Sequence, residues 1–302
     1  MKINGNQQLK SFNDLQTLYK ICGFDDVNGN GVIDKPSLSN GWQADEGYKE
    51  EADINKDGKI IATEAKYYLW HLAKTSSKES PCFPLTLDDQ RSLRELFVAV
   101  YDNACGKFNV PANEKVRLAI SFGSTDAELS LRRDNICDGG LRPIAEVLKV
   151  NKSITSLFLA LNNIGDKGMI PLAGALKVNM TLTELDLWSN NVGVTGARYL
   201  AEALNINKTL SVLNLWGNKL GDEGAKALAE AIRTNKGLTR IDLGTNNIGN
   251  EGAKALAEAI KANKSLTAVY LYGNNVGLEG AKALAEAAKV RVAEGNPVKI
   301  II

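Results

Sequence analysis

From residue 128 onward the chain repeats with a strict period of 28 residues, and this period constrains the fold more than any other feature. Six successive units begin at Glu128, Ser156, Glu184, Val212, Arg240 and Ala268. The units follow the pattern x-L-x-L-x-x-N-N-x-G-x-x-G-A-x-x-L-A-x-A-L-x-x-N-x-x-L-x, and the last unit departs from it towards its end. A unit this short cannot bury its apolar residues alone, so the units are expected to stack into a solenoid.

Each unit combines a strand pattern with a helix pattern. Two leucines alternate with other residues, as Leu213 and Leu215 do, which predicts a short strand. After a turn marked by two glycines, Leu228, Ala229 and Ile232 recur at helical spacing and predict one buried helix face. The expected fold class is therefore α/β, with parallel strands on one side of the solenoid and helices on the other.

Asparagine also recurs at fixed positions. Because its side chain can bond to backbone groups of a turning chain, stacked copies after the strand predict a ladder that satisfies the loop backbones. These copies are Asn162, Asn190, Asn218, Asn246 and Asn274, with Asp134 in the first unit. A second asparagine, such as Asn235, suits the end of each helix. The last unit carries Arg291 where this asparagine is expected, which predicts a C-terminal cap with a closing strand at Val298–Ile302.

The strand residues between the leucines are expected to face the concave side of the solenoid. Several of them are aromatic, and Trp188 and Trp216 occupy equivalent places in adjacent units. Exposed Trp and Tyr side chains are typical of binding surfaces, but rings on neighbouring strands can also stack to stabilise a sheet. We favour binding of a protein or peptide. The candidate residues are Phe158, Asp186, Trp188, Trp216, Asp242, Tyr270 and Tyr272.

The repeat resembles the leucine-rich repeats of ribonuclease-inhibitor type, over residues 128–296. It is similar to the repeats of intracellular NOD-like receptors and of some bacterial effector proteins that enter host cells. The resemblance implies a solenoid that presents a binding surface and does not catalyse a reaction. It leaves the partner open, because such repeats bind many unrelated proteins.

Residues 1–74 contain a candidate calcium loop at Asp53–Glu64. Oxygen ligands fall at the spacing that wraps a hard cation, and Gly58 allows the sharp turn. A poorer copy spans Asp26–Ser37, whose last residue cannot give a bidentate carboxylate. That copy either binds Ca²⁺ or only pairs with its neighbour. The predicted ligands are Asp53, Asn55, Asp57, Lys59 (through its carbonyl) and Glu64 in one loop, and Asp26, Asn28, Asn30, Val32 (through its carbonyl) and Asp34 in the other.

The two loops and the helices expected at Gln7–Gly23 and Thr63–Lys74 resemble a paired EF-hand. The loops begin closer together than usual, and their short form is also similar to dockerin calcium repeats. The helix before the first loop favours the EF-hand. We therefore predict a small α-helical, calcium-binding domain over residues 1–74.

Residues 75–127 are expected to link the two halves. Thr75–Pro84 is rich in Ser and Pro, as a linker is. A capping pattern at Thr86 predicts a helix to about Asn103, and Val116–Phe122 has strand character. This stretch is expected to cap the first repeat. The predicted domains are thus 1–74, 75–127 and 128–302.

The composition narrows the functional classes. A net charge of +1 argues against nucleic-acid binding, and no apolar run could span a membrane. The first residues lack the apolar core of a signal peptide. A single histidine, His71, and the lack of a known catalytic motif argue against an enzyme. The four cysteines suggest free thiols in a reducing compartment, although Cys105 could be reactive.

We therefore predict a monomeric, non-catalytic protein-interaction module with a calcium-binding N-terminal domain, located in the cytoplasm. One alternative is an effector delivered into a host cell, where it binds a host protein through its repeats. Another is a thiol-dependent enzyme within residues 75–127. A third is a secreted scaffold component that carries a dockerin.

Overall fold

The computed structural model describes Val32–Ile33, Ile60–Ile61, residues 87–121 and residues 128–302. These residues fall into two compact units. The smaller holds an antiparallel pair of two-residue strands, β1 (Val32–Ile33) and β2 (Ile60–Ile61). The larger holds the six repeats.

Each repeat consists of one short strand followed by one helix. The strands are β3 (Glu128–Ser130), β4 (Ser156–Phe158), β5 (Glu184–Asp186), β6 (Val212–Asn214), β7 (Arg240–Asp242) and β8 (Ala268–Tyr270), and β9 (Lys299–Ile301) closes the sheet. Two helices, α1 (Leu87–Phe108) and α2 (Glu114–Ser121), precede the repeats. The repeat helices are α3 (Cys137–Val150), α4 (Asp166–Val178), α5 (Val194–Ile206), α6 (Gly221–Thr234), α7 (Asn250–Ala262) and α8 (Leu278–Ala293).

The seven strands pair in chain order, and every pair is parallel. The register follows the sequence period, so Leu157 pairs with Leu185 and Leu185 with Leu213. The middle residue of each strand from β3 to β8 is buried, whereas its first residue stays at least partly exposed. The predicted α/β solenoid, with stacked parallel strands and helices on the other side, is confirmed.

The asparagine ladder after the strands is also present. The Nδ2 of Asn190 donates to the Leu159 carbonyl of the preceding repeat at 2.9 Å. Its Oδ1 accepts from the backbone nitrogens of Asn162 and Ile164 at 3.1 and 2.9 Å. Each such asparagine therefore satisfies loop groups of two repeats at once, which is why a buried amide recurs in an otherwise apolar stack.

A second ladder runs along the helix ends. Asn263 donates to the carbonyls of Ile232 and Asn235 in the preceding repeat, at 2.6 and 2.7 Å. Arg291 takes the equivalent place in the last repeat. Its fully buried guanidinium donates to the carbonyls of Ile260, Leu266 and Asn296 at 3.1, 2.8 and 2.8 Å. Arginine thus continues this ladder into the C-terminal cap, because it has the reach and the donors to satisfy three carbonyls.

A third set of bonds joins the helix starts of successive repeats. Asp138 at the start of α3 accepts hydrogen bonds from the backbone nitrogens of Gly165 and Gly168, at 2.6 and 3.0 Å. A Cβ on Gly168 would lie 2.7 Å from that carboxylate oxygen. The second glycine of the repeat therefore has a role that its turn-forming character did not indicate. It lets the carboxylate of the preceding repeat approach the helix N-terminus.

The expectation of a strand at Val116–Phe122 is wrong, because α2 covers Glu114–Ser121. The reason is local. The Asn113 side chain accepts hydrogen bonds from the backbone nitrogens of Lys115 and Val116 at 2.9 and 3.3 Å, as an N-cap does. That cap outweighs the weak strand preference of the branched residues that follow.

Two residues before the repeats contact the first repeat. Lys115 forms an ion pair with Asp134, the residue that replaces asparagine in the first ladder. The Arg142 guanidinium of α3 lies 5.6 Å from the centre of the Phe108 ring. No helix among the described residues is long and apolar enough to span a membrane.

The helices predicted at Gln7–Gly23 and Thr63–Lys74 and the linker at Thr75–Pro84 lie outside the described residues. The same holds for the predicted calcium ligands, apart from the backbone of Val32.

Candidate binding surface on the strand face

The sheet has one face that the repeat helices do not cover, and we call it the strand face. It is formed by the residues that alternate with the buried leucines. Trp188 and Trp216 are both partly exposed there, and Tyr272 is 40% exposed. The alternation of the strands therefore places these rings where the sequence predicts them.

The two tryptophans contact each other across neighbouring strands. Their ring centroids are 5.5 Å apart and the ring planes are tilted by 54°. The next residue in this row is Gly244, and a Cβ there would lie 2.4 Å from Cδ1 of Trp216 and 3.1 Å from Cζ of Tyr272. Because Gly244 has no side chain, the Trp216 ring can occupy the space beside it. Trp188, Trp216 and Tyr272 follow one another along the strand face, with Gly244 between the last two, and we call these three rings the aromatic row.

The indole Nε1 of Trp216 is buried, and no described residue accepts a hydrogen bond from it. A buried donor without an acceptor is uncommon in proteins. The donor lies beside the gap at Gly244, at the centre of the aromatic row.

The acidic candidates on the strand face are engaged in hydrogen bonds. Asp186 is only 4% exposed. One of its oxygens accepts from the backbone nitrogen of Trp188 at 3.0 Å and the other from Nη2 of Arg132 at 2.8 Å. Asp242 accepts from the backbone nitrogen of Gly244 at 2.9 Å and also bonds to the Tyr272 side chain. These carboxylates therefore hold the backbone of the strand face in place at Trp188 and Gly244.

Burial raises the pKa of the Asp242 carboxyl above its ordinary value, although the bond from Gly244 and the charge of Arg240 oppose the shift. Burial and the neighbouring Asp242 charge likewise raise the pKa of the Tyr272 hydroxyl. The phenol therefore stays protonated at neutral pH, and it can serve as a donor to the carboxylate.

Two arginines stack on the outlying aromatic candidates. The Arg132 guanidinium carbon lies 4.9 Å from the ring centre of Phe158, and that of Arg240 lies 5.0 Å from the ring centre of Tyr270. Both geometries are within reach of a cation–π interaction. Phe158 and Tyr270 thus belong to separate arginine–aromatic pairs, the first in the repeat before Trp188 and the second in the same repeat as Tyr272.

Five segments of the chain match the family described as Leucine Rich repeat, at residues 150–173, 178–201, 207–229, 234–257 and 262–285. Each segment begins near a helix end and runs through the next strand into the next helix. Residues 128–302 form a solenoid of parallel strands with helices on the other side, and five of its segments match leucine-rich repeats.

Solved structures with a similar fold include the actin-binding site 2 of leiomodin-1, at 20% identity and a TM-score of 0.43. That match covers 50% of this chain and 88% of the other. The C-terminal domain of tropomodulin from Caenorhabditis elegans is 18% identical with a TM-score of 0.42, over 51% of this chain and 95% of the other. None of the curated proteins compared with the chain matches it.

On the strand face of the leucine-rich-repeat solenoid, sequence reasoning missed the parts played by Gly244 and Arg132. A glycine stands where neighbouring repeats carry tryptophan and tyrosine, and that contrast was the available signal for a gap. Arg132 gave no comparable signal, because its partner Asp186 is two repeats away in sequence.

The described part of residues 75–127 bears on the thiol alternative. Cys105 is buried, and burial raises the pKa of its thiol. A raised pKa lowers the fraction of thiolate, the form that attacks substrates. The environment of Cys105 therefore disfavours a nucleophilic role. Within the described ranges, no group of three or more His, Cys, Asp or Glu side chains could hold a metal ion.

In the smaller unit, Val32 pairs with Ile61 and Ile33 with Ile60, in antiparallel register. Ile33 and Ile60 are each the eighth residue of one of the two proposed calcium loops. The two strands therefore pair at the eighth residue of each of these sequence segments.

Proposed function

We propose that the leucine-rich-repeat solenoid is a protein-interaction module that binds a protein or peptide through the aromatic row. The observation that carries the proposal is the arrangement of Trp188, Trp216 and Tyr272 around the gap at Gly244. Large amphipathic rings of this kind dominate the binding energy of protein interfaces.

The packing of the core favours binding over a purely structural role for the rings. Leu187 and Leu215, which flank the tryptophans in the chain, are completely buried and already fill the interior. The rings lie outside that core and keep part of their surface in contact with solvent. Covering this surface with apolar groups of a partner would be favourable.

The contacts of the carboxylates indicate which chemical groups a partner would use. The sequence suggested that Asp186 and Asp242 would attract basic groups. Since Arg132 and Tyr272 already occupy them, we expect the partner to use apolar anchors on the rings. We further expect it to offer a carbonyl or carboxylate oxygen near Nε1 of Trp216, reached by a small displacement of the exposed Tyr272 ring.

The experiment is a peptide selection on the intact chain, from a displayed library of random peptides. Each selected peptide is then titrated against Trp188→Ala/Trp216→Ala and against Lys254→Ala, an exposed helix residue far from the strand face. Peptides that lose binding only to the tryptophan variant support the proposal. If the selected peptides bind both variants as tightly as the wild type, the aromatic row is not the binding site.

We also propose that residues 1–74 bind Ca²⁺ through the loops at Asp53–Glu64 and Asp26–Ser37. The pairing of Ile33 with Ile60 supports this, because it brings equivalent positions of the two loops together. Carboxylate and carbonyl oxygens at these spacings are the ligands that Ca²⁺ prefers. Bound Ca²⁺ would stabilise the folded loops by mass action.

Isothermal titration of the full chain with CaCl₂ tests this second proposal. Heat of binding at micromolar to millimolar Ca²⁺ that is weakened strongly by Glu64→Gln supports it, because the substitution removes the bidentate ligand. The matched variant Ser37→Ala alters the corresponding position of the poorer loop and should have a smaller effect. No binding of Ca²⁺ at millimolar concentration would contradict the proposal.

A further inference from the structure

The outer faces of the repeat helices carry a regular pair of charges. In five repeats a basic residue is followed four positions later by glutamate on the same exposed helix face. The pairs are Arg142–Glu146, Arg198–Glu202, Lys226–Glu230, Lys254–Glu258 and Lys282–Glu286. The second repeat departs from this pattern, because Ile170 and Gly174 stand at the two positions. Both charges of the pair are therefore lost from α4.

The loss of charge leaves an apolar surface on this repeat. Ile170 is 52% exposed and Val178, two turns later on the same face, is 51% exposed. Met180 is 44% exposed where the adjacent repeats carry Lys152 and Lys208. Ile206 of α5 adds a further side chain at 52% exposure. We call Ile170, Gly174, Val178, Met180 and Ile206 the α4 surface.

Gly174 forms a notch at the centre of the α4 surface. A Cβ built on this residue would meet no atom of the described residues within 4 Å, so no contact in that part of the chain requires glycine there. Glycine inside an exposed helix is destabilising relative to other residues. A residue that lowers helix stability without a packing reason in the monomer is consistent with close approach by another helix.

We infer that the α4 surface is a self-association site, at which two copies of this chain pack α4 against α4. The surface matches itself under a twofold rotation through Gly174. Ile170 and Val178 form ridges one turn to either side of the notch, so the ridges of one copy can pack beside the notch of the other. Such an isologous contact uses the same patch on both copies.

The charges at the edge of the α4 surface do not oppose a second copy. Nζ of Lys177 and a carboxylate oxygen of Glu202 form an ion pair at 3.1 Å. Their charges cancel locally, so the surface does not select a partner of one charge. The patch is small, and small interfaces give weak, transient complexes. We expect a dimer that forms in the micromolar to millimolar range, in place of the monomer that the sequence suggested.

Sedimentation velocity of the full chain over a wide concentration range tests the inference. The wild type should shift from monomer to dimer as the concentration rises. Ile170→Arg/Gly174→Glu restores the charge pair of the other repeats and should remain monomeric throughout. Since glutamate is a better helix former than glycine, the variant should melt no lower than the wild type, which separates lost association from lost folding.

A control variant, Thr234→Arg/Ala262→Glu, adds one charge of each sign at exposed helix ends outside the α4 surface. It should dimerise like the wild type. A wild type that stays monomeric at the highest concentration would overturn the inference, and so would a dimer that survives Ile170→Arg/Gly174→Glu. This inference does not depend on binding at the aromatic row, since the two surfaces lie on the helices and on the strands respectively.

Discussion

The Asp166 carboxylate of the second repeat lies 2.7 Å from the backbone nitrogen of Gly193 in the third repeat. The same oxygen accepts from Gly196 at 2.9 Å. The carboxylate therefore caps the next helix of the solenoid, in the way that an N-cap residue usually caps its own helix. Asp222 makes the equivalent bonds to Gly249 and Gly252 at 2.7 and 2.8 Å.

We predict that Asp222→Ala lowers the free energy of unfolding by about 1–2 kcal/mol, because it removes both acceptor contacts at a helix N-terminus. Urea denaturation measures the change. Asp222→Asn is the matched control and should retain much of the stability, since Asn250 already accepts from Gly280 at 2.9 Å in the next junction. Equal losses for the two variants would mean that the contact does not act as a cap.

The third repeat has no aspartate to cap the helix of the fourth, because Val194 stands at that position. The glycine that would receive the contact, Gly221, has φ +58, whereas the equivalent Gly193 in the preceding junction has φ −103. We predict that Val194→Asp restores the contact and raises the free energy of unfolding by up to about 1 kcal/mol, because Gly221 can adopt either conformation. A destabilised Val194→Asp would show that the missing contact is not the cause of the different turn.

Gly244→Ala should disturb the aromatic row, because the new Cβ would overlap the Trp216 ring. We expect a loss of about 1–3 kcal/mol in stability, the usual range for overpacking, and a changed near-ultraviolet circular dichroism spectrum. Gly174→Ala introduces the same atom where space is open, so it should not destabilise the chain. An unchanged spectrum for Gly244→Ala would contradict the contact between Gly244 and Trp216.

The strands, the buried leucines and the first asparagine ladder could be predicted because each leaves a recurring pattern in the sequence. A period of two marks a strand, and a recurring asparagine after it implies stacked amides. The same reasoning placed Trp188 and Trp216 on the strand face. The period of two gives the side of the sheet to which each side chain points, and no further information was needed to place the two tryptophan rings.

Contacts between different positions of neighbouring repeats could not be predicted from this periodicity. Asp166 begins a helix, and an acidic residue there is ordinarily explained by the helix dipole alone. Its acceptance of bonds from the next repeat depends on how closely the turns stack. Asp186 was expected to be exposed because its strand position faces outward. It is buried because Arg132, two repeats earlier, covers it.

The Asp242 carboxyl gives a pH-dependent prediction. Its folded-state pKa is raised by burial, so its contribution to stability is present at low pH and is lost as the pH rises through the raised value. Asp242→Asn keeps an acceptor for Gly244 and does not ionise. The stability of this variant relative to wild type should therefore increase as the pH rises from about 4, the ordinary value of the carboxyl, towards neutrality.

Urea denaturation of the wild type and Asp242→Asn across that pH range makes the comparison. Asp186→Asn is a useful control, because it changes a carboxylate that is paired with Arg132 and should lower stability at neutral pH. A stability difference between Asp242→Asn and wild type that does not change with pH, or that falls as the pH rises, would contradict the raised pKa.

Binding of a partner by the strand face through Trp188 and Trp216 is tested most directly by a paired measurement on Trp188→Ala/Trp216→Ala. Its affinity for a peptide selected on the wild type and its melting temperature are measured on the same preparation. Loss of one central anchor typically weakens binding by about 2–4 kcal/mol, roughly 30- to 1000-fold. We predict at least that loss with the repeats still folded. A folded variant that binds with unchanged affinity would contradict the claim, and a variant that no longer folds would assign the rings to the stability of the sheet.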